Sequence, residues 1–126
     1  MESPTAHSPV PDLDHQLRTS EARSPHRCCF LLHVRPERLP EYVQAHQHVW
    51  EEMRHALTEA GWRNYSLFLH REDGMVVGYF ESDDVDAAHE AIARAEVSPR
   101  WEAAMEEYFT AGGGQKVELE QYFHLT

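Results

Sequence analysis

The chain has 126 residues, of which 41% are hydrophobic and 26% charged, the size and composition of one globular domain. Its 22 acidic and 11 basic residues give a formal net charge of −11, which argues against nucleic acid or an anionic membrane as a partner. The sequence lacks an 18-residue apolar run and the apolar core of a signal peptide, so we expect no membrane span and a cytoplasmic location. Cys28 and Cys29 are adjacent, and we predict that both are free thiols in a reducing compartment.

Residues 1–26 differ in composition from the rest of the chain. They hold four of the seven prolines and show no apolar period, so we predict a disordered tail followed by one domain over residues 27–126. The tail histidines, His7, His15 and His26, are too irregularly spaced to predict a metal site.

The first half of the domain alternates between strand and helix patterns. Residues 27–34 form an apolar run of strand length. The three- and four-residue spacing of apolar side chains predicts a helix over 41–60, which Gly61 ends. Residues 64–70 and 75–81 read as two strands, and the Asp-Gly pair between them predicts a hairpin turn over 71–74.

The second half predicts two helices and a last strand. Asp83 or Asp84 caps a helix that extends to about residue 95. Ser98 as N-cap and Pro99 as first helical residue predict a second helix, which ends at the glycines of 112–114. Alternating residues predict a final strand over 117–125.

This order of elements is the βαββαβ pattern of an α+β, ferredoxin-like antiparallel sheet. Both helical regions of that fold cover the same face of the sheet. The other face is then apolar and uncovered, which predicts a homodimer that packs sheet against sheet.

A histidine in an apolar helix face is the most informative residue. Tyr42, His46 and Trp50 lie four residues apart, so they stack on one face of the predicted helix. His46 is either a core histidine bonded to a backbone carbonyl or a general acid/base that lines a pocket. The other helix histidines do not share a face at metal-ligand spacing, and we predict no metal site.

Several aromatic residues form a second candidate group. Tyr65, Tyr79 and Trp101 are either core residues or surfaces that stack on a sugar ring or another flat ligand. Trp62 follows Gly61, and its position predicts packing against a loop. The glycines of 112–114 come between a helix and a strand, which is the wrong order for a phosphate-binding loop.

Motifs along the whole predicted domain occur together in one order. They are Glu41-Tyr42-x-x-x-His46-x-x-Val49-Trp50, then Ala60-Gly61-x-x-Asn64-Tyr65-Ser66, Gly78-Tyr79-Phe80-Glu81, Arg100-Trp101-x-x-x-Met105, and Tyr122-Phe123-His124-Leu125. In these motifs residues 27–126 resemble the L-rhamnose mutarotase family.

The resemblance implies a dimeric α+β barrel, without metal or organic cofactor, that interconverts the α and β anomers of L-rhamnose. It also implies that His46 is the acid catalyst and that Tyr42, Tyr65 and Trp101 contact the sugar. The family usually has a second tryptophan where this chain has Glu102, which makes Glu102 a further candidate for substrate binding. It usually has proline after Trp50, where this chain has glutamate.

Mutarotation suits these residues chemically. The sugar ring opens and closes again on its other face, so a proton must reach the ring oxygen and another must leave the anomeric hydroxyl. Two alternatives remain open from the sequence. One is a small monooxygenase on the same dimeric α+β plan, and the other is a non-catalytic sugar-binding domain.

Overall fold

The computed structural model describes residues 9–126 and contains a four-stranded antiparallel sheet in the order β2-β3-β1-β4. The strands are β1 (Arg27–His33), β2 (Arg63–His70), β3 (Met75–Glu81) and β4 (Val117–Leu119). Their order and antiparallel pairing confirm the predicted α+β, ferredoxin-like fold.

Five α-helices and two short 3₁₀ turns accompany the strands in the described residues. The helices are α1 (Leu13–Thr19), α2 (Leu39–Gln47), α3 (Glu51–Glu59), α4 (Val85–Arg94) and α5 (Val97–Met105), and the turns are Pro36–Arg38 and Glu106–Tyr108. None of the helices that residues 9–126 form is long and apolar enough to cross a membrane.

The hydrophobic core lies between the helices and one face of the sheet. Alternate residues of β1 and β3 are buried there, and Phe30 and Phe80 are fully inaccessible to solvent. Trp62 stacks on Phe80 with ring centroids 3.7 Å apart, and its indole N–H donates to the carbonyl of Ala88. The prediction that Trp62 packs against a loop is therefore wrong, because the start of β2 brings its ring into the core.

The helix predicted over 41–60 is two helices. His48 (φ −136°, ψ 52°) ends α2, and Trp50 (φ −52°, ψ 135°) precedes α3 in a non-helical conformation. Val49 and Trp50 are residue types that lose side-chain freedom in a helix, so the break costs little locally. It is stabilised by a ring contact between Trp50 and Trp101 of α5, which the sequence pattern does not reveal.

The turn and one helix cap match their predictions. Gly74 adopts φ +75° in the hairpin turn, and Asp73 accepts a hydrogen bond from the Met75 amide. Asp84 caps α4 by accepting from the amide of Ala87 at 3.1 Å. Helix α5, however, begins at Val97, so Ser98 is a buried helical residue and not the predicted cap.

Both ends of the chain differ from expectation. A short helix, α1, lies inside the segment predicted to be disordered, and Asp12 caps it through the His15 amide at 2.8 Å. Disorder was also predicted for residues 1–8, which lie outside the described residues. Strand β4 is shorter than the strand predicted over 117–125, because it ends at Leu119, which pairs with Cys29. Residues 25–119 form one compact unit.

A close contact in the core generates a stability prediction. Phe30 pairs with Gly78 across the sheet, and a Cβ atom at Gly78 would overlap the buried Phe30 ring. We expect Gly78→Ala to lower the free energy of unfolding by about 1–3 kcal/mol, measured by urea denaturation. Combining it with Phe30→Leu should cost less than the sum of the two single changes. Strict additivity would contradict the overlap.

Candidate active site

Helix α2 carries the first two residues of the site. The rings of Tyr42 and His46, one turn apart, have centroids 4.4 Å apart. Nδ1 of His46 lies 3.0 Å from the carbonyl oxygen of Tyr42. Because a carbonyl only accepts hydrogen bonds, Nδ1 carries the proton of this bond and Nε2 is the nitrogen left to meet a ligand.

Two tryptophans extend this group of rings. Trp101 of α5 contacts the His46 ring edge-on at a centroid distance of 5.3 Å, and Trp50 contacts Trp101 at 5.1 Å. Trp101 is half-buried and Trp50 is 39% exposed, so both also reach the surface. The spacing placed Trp50 next to His46 on one continuous helix. In the structure the helix breaks before α3, and Trp50 joins this group of rings through Trp101.

The tyrosines provide neutral hydroxyl groups. Tyr42 is buried against Tyr108 and Phe109, and burial raises its pKa to about 12. Tyr65 packs against Trp62 with ring centroids 4.9 Å apart. Burial raises the pKa of Tyr65, and the proximity of Tyr42 and Cys28 raises it further. Both hydroxyls stay protonated at neutral pH and can donate hydrogen bonds.

The electrostatics of His46 follow from its position. Burial lowers the pKa of His46, and the hydrogen bond to the Tyr42 carbonyl offsets part of that decrease. The imidazole is therefore mostly neutral at pH 7 and is a stronger acid when it does become protonated.

Two of the sequence candidates lie apart from this group. Glu102 is exposed on α5, where its carboxylate accepts a hydrogen bond from Ser98 at 3.4 Å. Its predicted contact with a sugar stays a prediction. Tyr79 faces the opposite side of the sheet from Tyr65, and its hydroxyl donates to Glu81 at 2.6 Å. Trp101 and Tyr65 thus lie on the side of the sheet that the helices cover, and Tyr79 lies on the other side.

An open surface pocket lies on another side of α2. Val43, Gln47 and Leu69 are among its lining residues, and the rings that surround His46 do not line it. We place the site at His46 because an acid/base group, the neutral Tyr42 side chain and aromatic faces converge there. Such a set can bind an uncharged polyhydroxy ring and move protons on it.

The fold defines the general class of the protein. The structure is similar to a dimeric ferredoxin-like protein from an uncultured marine organism, with a TM-score of 0.54, 13% identity and coverage of 79% of this chain and 94% of that one. It is also similar to an L-rhamnose mutarotase from Formosa agariphila, with a TM-score of 0.66, 19% identity and coverage of 79% and 98%. At these identities the likeness establishes a ferredoxin-like α+β fold.

The sequence establishes the family within that class. The L-rhamnose mutarotase family model matches residues 27–125. The L-rhamnose mutarotase of Ligilactobacillus salivarius is 33% identical over 101 residues, which span 75% of this chain and 93% of the relative. That of Enterococcus faecalis is 32% identical over 99 residues, or 76% and 95%. The chain belongs to the L-rhamnose mutarotase family, which confirms the resemblance found in its motifs.

The buried state of His46 generates a pH prediction. Unfolded His46 takes up a proton near the ordinary pKa of 6.5, whereas burial lowers the pKa in the folded protein. As the pH falls below 6.5 the unfolded state binds more protons, so the free energy of unfolding decreases. We expect the free energy of unfolding to decrease less steeply in His46→Gln than in wild type when urea denaturation is measured from about pH 7 to 5. Equal slopes would show that His46 titrates alike in both states.

Proposed function

We propose that this protein is an aldose mutarotase that interconverts the α and β anomers of L-rhamnose, and that His46 moves the proton at the ring oxygen. The observation that carries this assignment is the hydrogen bond between His46 Nδ1 and the Tyr42 carbonyl. It fixes the ring orientation and leaves Nε2 as the nitrogen that meets the sugar.

Ring opening uses the protonated form of His46. Nε2–H donates its proton to the ring oxygen, the bond from that oxygen to the anomeric carbon breaks, and the anomeric hydroxyl gives its proton to water. The product is the open-chain aldehyde and neutral His46. Because burial lowers the pKa of His46, the imidazolium is a minor but strongly acidic form at neutral pH.

Ring closure reverses these proton transfers on the other face of the aldehyde. After rotation about the bond next to the anomeric carbon, the C5 hydroxyl attacks the carbonyl carbon and returns its proton to Nε2. The former carbonyl oxygen takes a proton from water. The protein ends as it began, and no proton is consumed overall.

The residues around His46 supply substrate binding in this proposal. Tyr42 and Tyr65 keep their hydroxyl protons, because burial raises the pKa of both, and donate hydrogen bonds to sugar oxygens. Trp101 offers an aromatic surface to the apolar face of the sugar. We include Glu102, next to Trp101 and exposed, as an acceptor for a sugar hydroxyl.

Loss of the His46 imidazole tests the assignment directly. We expect His46→Ala to lower the enzyme-dependent rate of anomer exchange of L-rhamnose by about 10²–10⁴-fold, because general acid catalysis contributes that much. Saturation transfer between the two anomeric proton signals measures the rate, after subtraction of the uncatalysed exchange. His48→Ala is the matched control, since His48 is an exposed histidine at the end of the same helix.

The same experiment separates the alternative functions. A folded His46→Ala variant that exchanges anomers as fast as wild type would contradict the role of His46. Wild-type protein that binds L-rhamnose without accelerating exchange would identify a non-catalytic sugar-binding domain. An absence of both binding and acceleration would favour another activity on this fold, such as the monooxygenase alternative.

We also propose that the protein is a homodimer in the cytoplasm. The sheet face opposite the helices carries Phe68, Val117 and Leu119, which are 61%, 55% and 44% exposed, as is usual for an interface and not for a free surface. A second copy of this chain covers such a face in a sheet-to-sheet dimer. Cys28 and Cys29 point to opposite faces and are free, which fits a reducing compartment.

A charge placed on this face should prevent dimer formation. We expect wild type to sediment as a dimer at about 10 μM, because a standard interface of about 1,200–2,000 Å² supports association in that range. Phe68→Lys should sediment as a monomer, since the ammonium loses its hydration when the face is covered. Glu90→Lys, at an exposed position of α4, is the control and should remain dimeric. A monomeric wild type would contradict the proposal.

A further inference from the structure

Three potential metal ligands from distant parts of the sequence converge at one edge of the core. They are Cys28 of β1, His89 of α4 and Glu118 of β4. The Cys28 sulfur lies 3.6 Å from His89 Nε2 and 3.7 Å from Glu118 Oε1, and His89 Nε2 lies 3.9 Å from Glu118 Oε2. None of these residues takes part in the proton transfers assigned to His46.

The spacing of these atoms matches one coordination geometry. Around a tetrahedral zinc ion, with bonds of about 2.0–2.3 Å, neighbouring ligand atoms lie about 3.4–3.6 Å apart. The sulfur contacts of 3.6 and 3.7 Å are close to this spacing, and the 3.9 Å between His89 Nε2 and the other carboxylate oxygen, Oε2, is longer. The three ligand atoms all lie within 4.8 Å of one another. Glu118 is exposed, so a small rotation of its carboxylate closes the difference.

The surroundings hold two of the ligands in place. Cys28 is only 5% exposed, and the His89 ring packs edge-on against Trp62 and Phe80 at 5.7 and 5.4 Å. These contacts orient Nε2 towards the sulfur. The exposed side of the cluster, where Glu118 lies, leaves room for a water molecule as fourth ligand.

We propose that Cys28, His89 and Glu118 bind a divalent transition-metal ion of the zinc type, a site that goes beyond the mutarotase activity. A thiolate and an imidazole select such ions over magnesium or calcium. A thiolate and a carboxylate together balance the charge of the cation. On binding, the S–H bond of Cys28 breaks, the sulfur bonds to the metal, and the proton passes to the buffer.

Two features work against metal binding, and the metal must overcome them. Burial raises the pKa of Cys28 to about 12, with a further increase from the charge of Glu118. Lys116 is close enough to lower the pKa of Cys28, so its ammonium also repels an incoming cation. Without metal, the thiol stays protonated and donates a hydrogen bond to Glu118. The sequence pattern did not reveal this site, because its ligands lie 61 and 29 positions apart.

Cobalt titration of the full, untagged and reduced chain tests the site. We expect one Co²⁺ per chain, an absorption band from cysteine-to-cobalt charge transfer, and displacement of the cobalt by Zn²⁺. Cys28→Ser should remove the band and weaken binding at least about 100-fold, because loss of even an outer-shell partner costs about 10–100-fold. Cys29→Ser is the matched control and should bind like wild type, since Cys29 points to the other sheet face.

Other results would overturn the proposal. One is the absence of the charge-transfer band in wild type. Another is loss of the band in Cys29→Ser while Cys28→Ser keeps it. A third is unchanged cobalt binding in Cys28→Ser, which would assign the metal to histidines elsewhere. If Cys28→Ser does not fold, as judged by circular dichroism, Glu118→Gln replaces it. Glu118 is exposed, and its loss should weaken cobalt binding at least about tenfold. Unchanged affinity in a folded Glu118→Gln would likewise contradict the site.

Discussion

The proposed chemistry depends on the hydrogen bond between His46 Nδ1 and the carbonyl of Tyr42, one turn earlier on α2. This bond keeps the proton on Nδ1, so Nε2 alone is available for proton exchange with a ligand. Edge-on contact with Trp101 restricts the same ring from another side. An imidazole held in this way is ready to act before the sugar arrives, which reduces the cost of ordering it during the reaction.

The two faces of the sheet serve different purposes. The face under the helices holds the core and the Tyr65 ring. Trp62, just before β2, stacks on Phe80 and so packs the start of β2 against this core. The opposite face carries exposed apolar side chains such as Phe68. Because side chains alternate along a strand, each strand contributes to the core and to this second surface at once. The proposed sugar site and the proposed dimer interface therefore lie on opposite sides of one sheet.

Local patterns in the sequence predicted much of the fold. An apolar run of strand length identified β1, the Asp-Gly pair located the turn at Gly74 before β3, and four-residue spacing placed Tyr42 next to His46. Each of these depends on residues that are near one another in the chain, so a short segment is sufficient evidence.

Features that depend on distant residues were not predictable in the same way. Trp50, before α3, contacts Trp101 of α5, and Trp62 lies in the core, where it stacks on Phe80 and donates to the Ala88 carbonyl. The motif resemblance suggested binding roles for Tyr65 and Trp101, which spacing alone left undecided between core and binding residues. The structure then added the contact of Trp101 with His46, and the family match confirmed the family.

The role of His46 is tested most directly by the ¹⁵N spectrum of histidine-labelled protein at neutral pH, with and without L-rhamnose, assigned through the His46→Gln variant. We expect neutral His46 to carry its proton on Nδ1, and we expect the Nε2 signal to shift when L-rhamnose binds while the Nδ1 signal changes little. A proton on Nε2 in the free protein, or His46 signals that do not respond to saturating L-rhamnose, would contradict this role.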